Sequence, residues 1–240
     1  MTKTNMPEAK KYNIPTHVGL IIDGNRRWAR ERNLPIFEGH RIGYEKVKQA
    51  PEWFFSRGVK ILSFFVFSTE NWNRAQDEVN YLMKLLQHAV ENDLKELAKK
   101  NGYQILISGR LEELPGDLPA KCLEIIAETK SNNRGIINVC LNYGGRPEIV
   151  DAVRKLIKNK VEVEQVHEGM LKKYLYQADL PDPDIIVRTS GEFRLSGFLT
   201  WQSAYSELFF MKKYWPDFEE SDAEVVLREY GERKRRLGGD

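Results

Sequence analysis

The chain has 240 residues, of which 41% are hydrophobic and 30% are charged, and its formal net charge is +2. A chain of this length buries roughly 70–75% of its unfolded surface, so its fold needs no disulfide or metal staple. The near-neutral charge gives no reason to expect wholesale binding of nucleic acid, and the composition is that of an ordinary globular protein.

The first dozen residues are polar and contain no apolar core, which argues against a secretory signal. No apolar run approaches the ~20 residues that cross a bilayer. We therefore predict a cytoplasmic protein in which residues 1–14 are disordered and residues 15–240 form one domain. Its two cysteines, Cys122 and Cys140, lie in apolar stretches without metal-ligand spacing and are predicted to be reduced core thiols.

In chain order, apolar runs alternate with segments of helical character. Strands are predicted at residues 17–22, 60–67, 103–108, 136–142, 184–188 and 207–211. Most of these runs are apolar on both faces, as parallel strands covered by helices are, and the segments between them are long enough for helical crossovers. The sequence thus predicts a single-domain α/β fold with a mostly parallel six-stranded sheet flanked by helices.

The clearest helix is predicted over residues 77–100, where Leu82, Leu86 and Val90 belong to an apolar stripe at helical spacing. Two interpretations of this stripe are open. It packs the helix onto the sheet, or it lines a channel for an apolar ligand. A second helix is predicted to open at Pro147, since proline is favoured at the first helical position.

Polar clusters follow four of the predicted strands, at residues 23–28, 68–74, 142–146 and 188–192. Because ligands of such sheets bind beyond the carboxyl ends of the strands, we expect one shared pocket there. The cations in or beside these clusters are all arginines, namely Arg26, Arg27, Arg74, Arg146, Arg188 and Arg194. Arginine grips phosphate oxygens through paired hydrogen bonds and stays charged, so the pocket is predicted to bind phosphates.

Candidate ligands for a divalent cation accompany these arginines. Mg²⁺ takes oxygen ligands and commonly uses one or two carboxylates together with waters and phosphates. Asp23, at a strand tip, is the first candidate and Glu207 is the second, whereas Glu70 and Glu192 either bind metal or orient arginines. The chain contains neither a P-loop sequence nor a dinucleotide-binding glycine pattern, which argues against both of those phosphate sites.

Six motifs occur in order: D-G-N-R-R-W-A at residues 23–29, E-G-H-R-x-G at 38–43, F-S-T-E-N-W-N-R at 67–74, N-Y-G-G-R at 142–146, I-V-R-T-S-G-E-x-R-L-S at 186–196 and W-Q-S-A-Y-S-E-L-F-F at 201–210. Together they resemble the cis-prenyltransferase family, most closely its undecaprenyl diphosphate synthase type. The resemblance implies a homodimer with a hydrophobic tunnel and Mg²⁺ as cofactor. It implies sequential condensation of isopentenyl diphosphate with an allylic diphosphate, such as farnesyl diphosphate, each step creating a Z double bond.

The resemblance also implies a role for each site residue. Asp23 assists departure of the diphosphate and binds Mg²⁺, with Glu207 as the second metal ligand. The allylic substrate is held by the first two motifs, through Gly24, Asn25, Arg26, Arg27, Trp28 and His40. Isopentenyl diphosphate is held by Arg188, Arg194, Leu195 and Ser196. Asn71 stands where the family's proposed proton acceptor lies, in a substrate-binding loop with Ser68, Thr69, Glu70, Trp72 and Arg74; the departing diphosphate is the alternative acceptor.

Some positions depart from the family pattern. Ile36 stands where an arginine that contacts phosphate is usual, and Arg26, where some members have glycine, could compensate. Phe193 replaces a histidine found in several bacterial members, so no metal or acid role is expected there. Val66 replaces a common alanine and is expected to narrow the tunnel, which favours products of medium length.

Other functions fit parts of the pattern. A non-catalytic partner subunit of the same fold typically lacks the metal aspartate and the phosphate arginines, which this chain retains. A related enzyme that makes a short or irregular product is disfavoured by the ordinary loop at residues 68–74. The basic segment 232–236 is typical of a solvated helix face, and contact with acidic lipids or with nucleic acid is an open alternative, so peripheral membrane contact is a further expectation. We favour instead that Arg236-Leu237-Gly238 reaches the isopentenyl site of a partner subunit, as the resemblance implies.

Overall fold

The computed structural model describes residues 13–233. Its centre is one six-stranded sheet with the order β3-β4-β2-β1-β5-β6, in which every neighbouring pair is parallel. The strands are β1 (His17–Ile21), β2 (Ile61–Ser68), β3 (Tyr103–Ser108), β4 (Gly135–Tyr143), β5 (Ile185–Arg188) and β6 (Glu207–Phe210). The predicted fold class is confirmed, and each strand boundary lies within one residue of its predicted position. Residues 1–12 and the predicted partner contact at 236–238 lie outside the described residues.

Helices occupy the connections between successive strands except that from β5 to β6, and one further helix follows β6. They are α1 (Asn25–Glu31), α2 (Ile36–Phe55), α3 (Gln76–His88), α4 (Leu94–Asn101), α5 (Leu118–Glu128), α6 (Gly145–Lys158), α7 (Glu168–Lys172) and α8 (Glu220–Glu232). A π-helical turn, Ala89–Asp93, joins α3 to α4, so the helix predicted over residues 77–100 is continuous but locally widened. Within residues 13–233, no helix has both the length and the apolar character needed to cross a membrane.

The prediction that Pro147 opens a helix is wrong by one half-turn. Helix α6 begins at Gly145, after the extended residue Gly144, and Pro147 occupies its third position. Proline is tolerated there because the first N–H groups of a helix have no acceptor within the helix. The strand-end loop therefore passes directly into α6 without an intervening turn.

The two faces of the sheet bury different kinds of side chain. Alternate residues of the central strands, such as Leu20, Leu62 and Val139, enter a large apolar core together with side chains from α2, α3, α4, α5 and α8. The opposite face has a smaller core around Phe198 and also a buried polar chain, in which Ser63 links His17 to Asn138. The strands were predicted to be apolar on both faces of the sheet, and only one face is fully apolar.

The two predicted core thiols are free and buried within this core arrangement. Burial raises the pKa of Cys122 to about 12 and raises that of Cys140 well above its ordinary value. Both side chains therefore stay protonated near neutral pH and act as small apolar groups.

Helix α1 lies very close to α2 because two glycines remove side chains from the contact. A Cβ placed on Gly39 would meet the backbone oxygen of Asn25 at 2.0 Å, and one on Gly43 would meet the Asn25 side chain at 2.4 Å. The amide of Asn25 is thus pressed against α2 directly after the strand-end residues Asp23 and Gly24. This packing fixes where the first polar cluster lies relative to α2.

We expect Gly39→Ala to lower the free energy of unfolding by about 1–3 kcal/mol, because the new methyl group collides with backbone that cannot yield cheaply. Gly169→Ala in α7 is the matched control, since its Cβ would meet only the His167 ring at 3.3 Å. That control is expected to stay within about 0.5 kcal/mol of the parent chain. Urea denaturation measures both values, and equal stabilities for the two variants would contradict the close packing of α1 on α2.

Candidate active site at the carboxyl ends of the strands

The carboxyl ends of β1, β2 and β5 open into a cavity of about 580 Å³. Its polar wall carries six arginines and no lysine: Arg26, Arg27, Arg30, Arg74, Arg188 and Arg194. Five of the six arginines predicted for a shared pocket therefore converge. The sixth, Arg146, lines an adjoining cavity that shares Ser68, Asn71 and Ser196 with the first.

Asp23 is the anionic centre of this arginine cluster. Its Oδ2 atom accepts hydrogen bonds from Arg188 Nη2 at 2.8 Å and from Arg27 Nη2 at 3.2 Å. Burial of the carboxyl group favours its neutral form, but hydrogen bonds from Arg188 and Ser190 and the charges of Arg188 and Arg27 outweigh burial, so the pKa of Asp23 is lowered. Asp23 is therefore ionised at neutral pH and sits between two guanidinium groups.

Glu192 extends the cluster toward solvent. Its Oε1 accepts from Arg27 Nη1 at 2.7 Å, and its Oε2 accepts from Arg194 Nη1 at 2.5 Å. Hydrogen bonds from Arg194 and Arg27 lower the pKa of this exposed carboxyl group. Of the two roles considered for Glu192, the structure supports the orientation of arginines.

Arg188 is the most deeply buried of the arginines that line the cavity. Only 4% of the residue is exposed, and besides Asp23 its guanidinium donates to Ser196 Oγ at 2.9 Å and to the backbone oxygen of Arg194. The loop after β5 is thereby folded back onto the end of its own strand. The planar guanidinium of Arg188 reaches all three acceptors at once, which a lysine ammonium on a flexible stem does not reproduce.

Backbone contacts lock the end of β1 to the loop after β5. The hydroxyl of Thr189 donates to the backbone oxygen of Asp23 at 2.6 Å, and Ser190 Oγ accepts from Arg27 at 2.6 Å. Ser190 and Ser196 have positive φ angles of 79° and 51°, which are uncommon for residues with a side chain. Gly24, at φ 110°, packs against Tyr214 where a Cβ would approach within 2.6 Å. Such constrained backbone commonly clusters at functional sites.

The loop after β2 forms a 3₁₀ turn, Thr69–Asn73, that closes the side of the cavity. Asn71 Oδ1 accepts the backbone N–H of Ser68 at 3.1 Å, while the Ser68 side chain accepts the backbone N–H of Asn71. This reciprocal cap fixes both side chains at the boundary between the two cavities. Glu70 faces only the second cavity.

Several residues predicted to bind substrate lie outside the first cavity. Trp28 donates its indole N–H to Asp217 at 2.6 Å, and Trp72 donates its own to Asn142 at 2.8 Å. The hydroxyl oxygen of Thr69 lies against Gly144. Leu195 lines the adjoining cavity and not the first. The two tryptophans fasten neighbouring loops, because each indole N–H finds its partner in another segment.

The structure does not bring Glu207 to Asp23. Glu207 begins β6 level with Ile185 and hence with Val18, so Asp23 lies on the order of 15 Å further along the strand direction. The Glu207 carboxylate instead accepts from Arg233 Nη1 at 2.8 Å. Within the described residues of a single chain, Asp23 and Glu207 therefore do not meet at one metal ion, since the two lie at opposite ends of parallel strands. The role of Glu207 as a metal ligand stays a prediction.

An apolar wall of the cavity is formed by Ile21, Ile22, Phe65, Val66 and Leu82, and it includes Val66 and Leu82, which the sequence analysis considered as lining a tunnel or channel. The sequence interpretation missed two other features of the cavity. Arg30 lines it one helical turn after Arg26, a spacing visible in the sequence. Behind the polar wall, His40 Nε2 donates to Oε1 of Glu78, a carboxylate with only 2% exposure. The sequence feature that could have revealed Glu78 is a charged residue four positions before Leu82, on the buried face of α3.

His40 lines the cavity from α2, as predicted for a ligand-binding residue. Burial is the main reason that its pKa is lowered; the contact with Glu78 acts in the opposite direction, and the charges of Arg74 and Arg26 lower the pKa further. The ring is therefore neutral at pH 7 and able to offer one N–H donor.

A divalent cation is compatible with the donor set around Asp23. The Asp23 carboxylate is ionised, partly exposed to the cavity, and engaged with Arg27 and Arg188 through its Oδ2 atom. No group of three or more His, Cys, Asp or Glu side chains suited to a metal occurs within residues 13–233. This arrangement fits Mg²⁺ bound by one carboxylate plus substrate phosphates and waters, and it does not fit an all-protein metal cage.

Comparison with known proteins assigns the chain to a family. Residues 21–238 match the family model described as "Putative undecaprenyl diphosphate synthase". An isoprenyl transferase of Fusobacterium nucleatum is 45% identical over 227 residues, which cover 95% of this chain and 97% of that protein. The isoprenyl transferase of Thermotoga maritima is 44% identical over 228 residues, which cover 94% and 97%.

Solved structures agree in fold. Lavandulyl diphosphate synthase from Lavandula x intermedia, in complex with dimethylallyl diphosphate, superposes with a TM-score of 0.90 at 31% identity, covering 94% of this chain and 98% of that one. A "probable undecaprenyl diphosphate synthase" from Campylobacter jejuni has a TM-score of 0.78 at 29% identity, covering 94% and 99%. The chain belongs to the undecaprenyl diphosphate synthase family of prenyl-transferring enzymes, the cis-prenyltransferases that its motifs resemble.

Proposed function

We propose that this chain condenses isopentenyl diphosphate with an allylic diphosphate, farnesyl diphosphate being the expected primer, in repeated steps that each create a Z double bond and release diphosphate. One observation carries the proposal. Six arginines and the ionised Asp23 face the same cavity as a wall of apolar side chains. Such a cavity suits ligands that have a multiply charged head and a hydrocarbon tail.

Two diphosphates fit on either side of Asp23. One set of side chains, Arg26, Arg27 and His40, comes from α1 and α2, and we assign it to the allylic substrate together with Gly24 and Asn25. The other set, Arg188, Arg194 and Ser196, comes from β5 and its loop, and we assign it to isopentenyl diphosphate. Asp23 bonds to one arginine of each set, so it occupies the boundary where the two substrates would meet.

The chemistry proposed for this site is electrostatic. As the allylic C–O bond breaks, negative charge grows on the departing diphosphate, and arginines fixed beforehand stabilise that charge without reorganising. A Mg²⁺ ion bound by Asp23 and the phosphates would supply further charge neutralisation to the leaving group. Holding both substrates in line supplies orientation, and the wall formed by Phe65, Val66 and Leu82 keeps water from the carbon that becomes cationic.

The proton lost in each step needs an acceptor. The Asn71 side-chain oxygen already accepts the Ser68 backbone N–H, and an amide is a weak base. Between the two acceptors considered, we therefore favour the departing diphosphate, with Ser68 and Asn71 orienting the substrate beside it. Both side chains line the first cavity and are within reach of a ligand there.

A homodimer is part of the proposal. The outer face of α6 exposes Val150, Val153 and Ile157, which lie about one turn apart along the helix. A second copy would cover such apolar groups, and its Arg236-Leu237-Gly238 segment is proposed to contact the isopentenyl site. Cytoplasmic location and peripheral membrane contact stay predictions.

An irregular or single condensation is the second candidate, and the similarity in fold to lavandulyl diphosphate synthase keeps it in view. The capped turn at Thr69–Asn73 supports the sequential reaction, since it presents Ser68 and Asn71 to the cavity as the family motif requires. Incubation with Mg²⁺, farnesyl diphosphate and labelled isopentenyl diphosphate separates the two candidates. Sequential elongation gives a ladder of linear products with new Z double bonds, and a single branched product would overturn the proposal.

Asp23→Ala is expected to lower the rate of elongation by at least about 10²–10³-fold, because the site loses its cation ligand and the charge between its two arginine sets. Asp182→Ala is the control, since this exposed aspartate pairs with Lys172 away from the cavity. Steady-state assays with labelled isopentenyl diphosphate measure both variants, and circular dichroism checks that they fold. Near-normal turnover by Asp23→Ala would remove Asp23 from the mechanism.

Val66→Ala is expected to shift products toward greater length, by about one isoprene unit or more, because it removes two methyl groups from the apolar wall. Val163→Ala is the control, since this valine is 81% exposed in a distant turn. Chromatography of the dephosphorylated products measures the length distribution. An unchanged distribution for Val66→Ala would show that another side chain limits the product.

A further inference from the structure

Glu78 lies behind the polar wall of the cavity and joins three of its basic side chains. It stands in the first turn of α3 and is 2% exposed, although it does not itself line the cavity. Its Oε1 contacts His40 Nε2 at 3.1 Å and Arg74 Nη1 at 3.0 Å, and its Oε2 lies 3.6 Å from Arg26 Nε. These partners come from α2, from the loop before α3, and from α1.

Because the Glu78 carboxylate is buried, its charge requires ion-pair and hydrogen-bond partners close by. A buried charge is costly unless it is paired and hydrogen-bonded, so the three partners cannot leave it without a large penalty. The constraint also acts in reverse. Long arginine side chains have many conformations. A fixed anion beside one nitrogen of the guanidinium selects the few conformations in which the rest of the group faces the cavity.

Each guanidinium contacts Glu78 through one nitrogen only. Arg74 uses Nη1 and Arg26 presents Nε. Within residues 13–233, the structure gives neither arginine a second hydrogen-bonded or ionic partner, so the remaining N–H groups are free to face a ligand. Arg74 and Arg26 both line the cavity beside His40. One buried carboxylate thus holds two arginines and a histidine from three elements along a single wall, and the two arginines keep free N–H donors.

We propose that Glu78 is a positioning residue for diphosphate binding. It accepts the one N–H of the neutral His40 ring, and it holds Arg26 and Arg74 so that the unpaired N–H groups of these two arginines meet the oxygens of one diphosphate group. The inference deepens the proposed function, on which it rests for the identity of the ligand. Glu78 makes no contact with the diphosphate and acts only through these three side chains.

The direction in which the affinity for an anion changes when Glu78 loses its charge separates a positioning role from a simple electrostatic effect. Removing a buried negative charge makes the wall more positive, so electrostatics alone predicts that an anion binds more tightly to the variant. Positioning predicts weaker binding, because the freed arginines must be ordered again by the ligand. A purely structural carboxylate predicts unchanged affinity in the variant that still folds.

The probe is inorganic pyrophosphate with Mg²⁺, titrated into the full chain by isothermal calorimetry. We expect Glu78→Gln to raise Kd for pyrophosphate about tenfold, the scale of one charge-assisted hydrogen bond. Glu78→Asp keeps the charge but retracts it by one methylene, and its Kd is expected to lie between the two. Asp151→Asn is the matched control, since Asp151 also bridges an arginine and a tyrosine, Arg110 and Tyr176, away from the cavity. Its Kd is expected to match that of the parent chain.

Unchanged or tighter pyrophosphate binding by Glu78→Gln would overturn the inference. If Glu78→Gln does not fold, Glu78→Asp carries the test, and a Kd equal to that of the parent would overturn it. Elongation is assayed separately in the same preparations. A parent chain that binds pyrophosphate but makes no prenyl product refutes the proposed function and leaves the positioning result standing. If the parent chain elongates prenyl products but the Glu78 variants bind pyrophosphate with the Kd of the parent, the proposed function stands and the positioning inference is refuted.

Discussion

The site depends on placing several guanidinium groups within one cavity although their charges repel. Carboxylates make this possible. Asp23 joins Arg27 to Arg188, and Glu192 joins Arg27 to Arg194, so the cations form a chain of ion pairs across the cavity. Because each carboxylate bridges two arginines, the cluster keeps an excess of positive charge for a ligand, while Arg27, Arg188 and Arg194 each have a neighbouring anion.

The parallel sheet decides which residues can take part in that chain of ion pairs. Strands β1, β2 and β5 are neighbours that point the same way, so the residues after each strand meet at one edge. Helix α1 must then leave β1 at a sharp angle and lie on α2, which the bare surfaces of Gly39 and Gly43 permit. Residues at the beginning of a strand are excluded from the cavity by the same geometry, and Glu207 is the example.

The two walls of the cavity divide the chemistry. Fixed charges on one wall can stabilise a departing diphosphate, while the apolar side chains opposite offer a surface on which a hydrocarbon chain excludes water. Family membership makes prenyl transfer the activity of this chain, and the arrangement gives it a physical basis. Asn71 has its oxygen occupied by the turn that holds it, and this contact is the reason that we propose an orienting role for it.

The sequence by itself determined the sheet, the strand boundaries and the arginine-rich edge, because long apolar runs specify buried parallel strands and polar residues directly after them must share an edge. Only the tertiary structure decided which side chains of each motif reach the cavity. Trp28 belongs to the same motif as Arg27, yet its indole turns to Asp217 on the other side of α1. Glu78 looks like an ordinary acidic residue in the first turn of a helix. Packing of α1, α2 and α3 buries it, and burial is a property of three segments brought together that no single segment encodes.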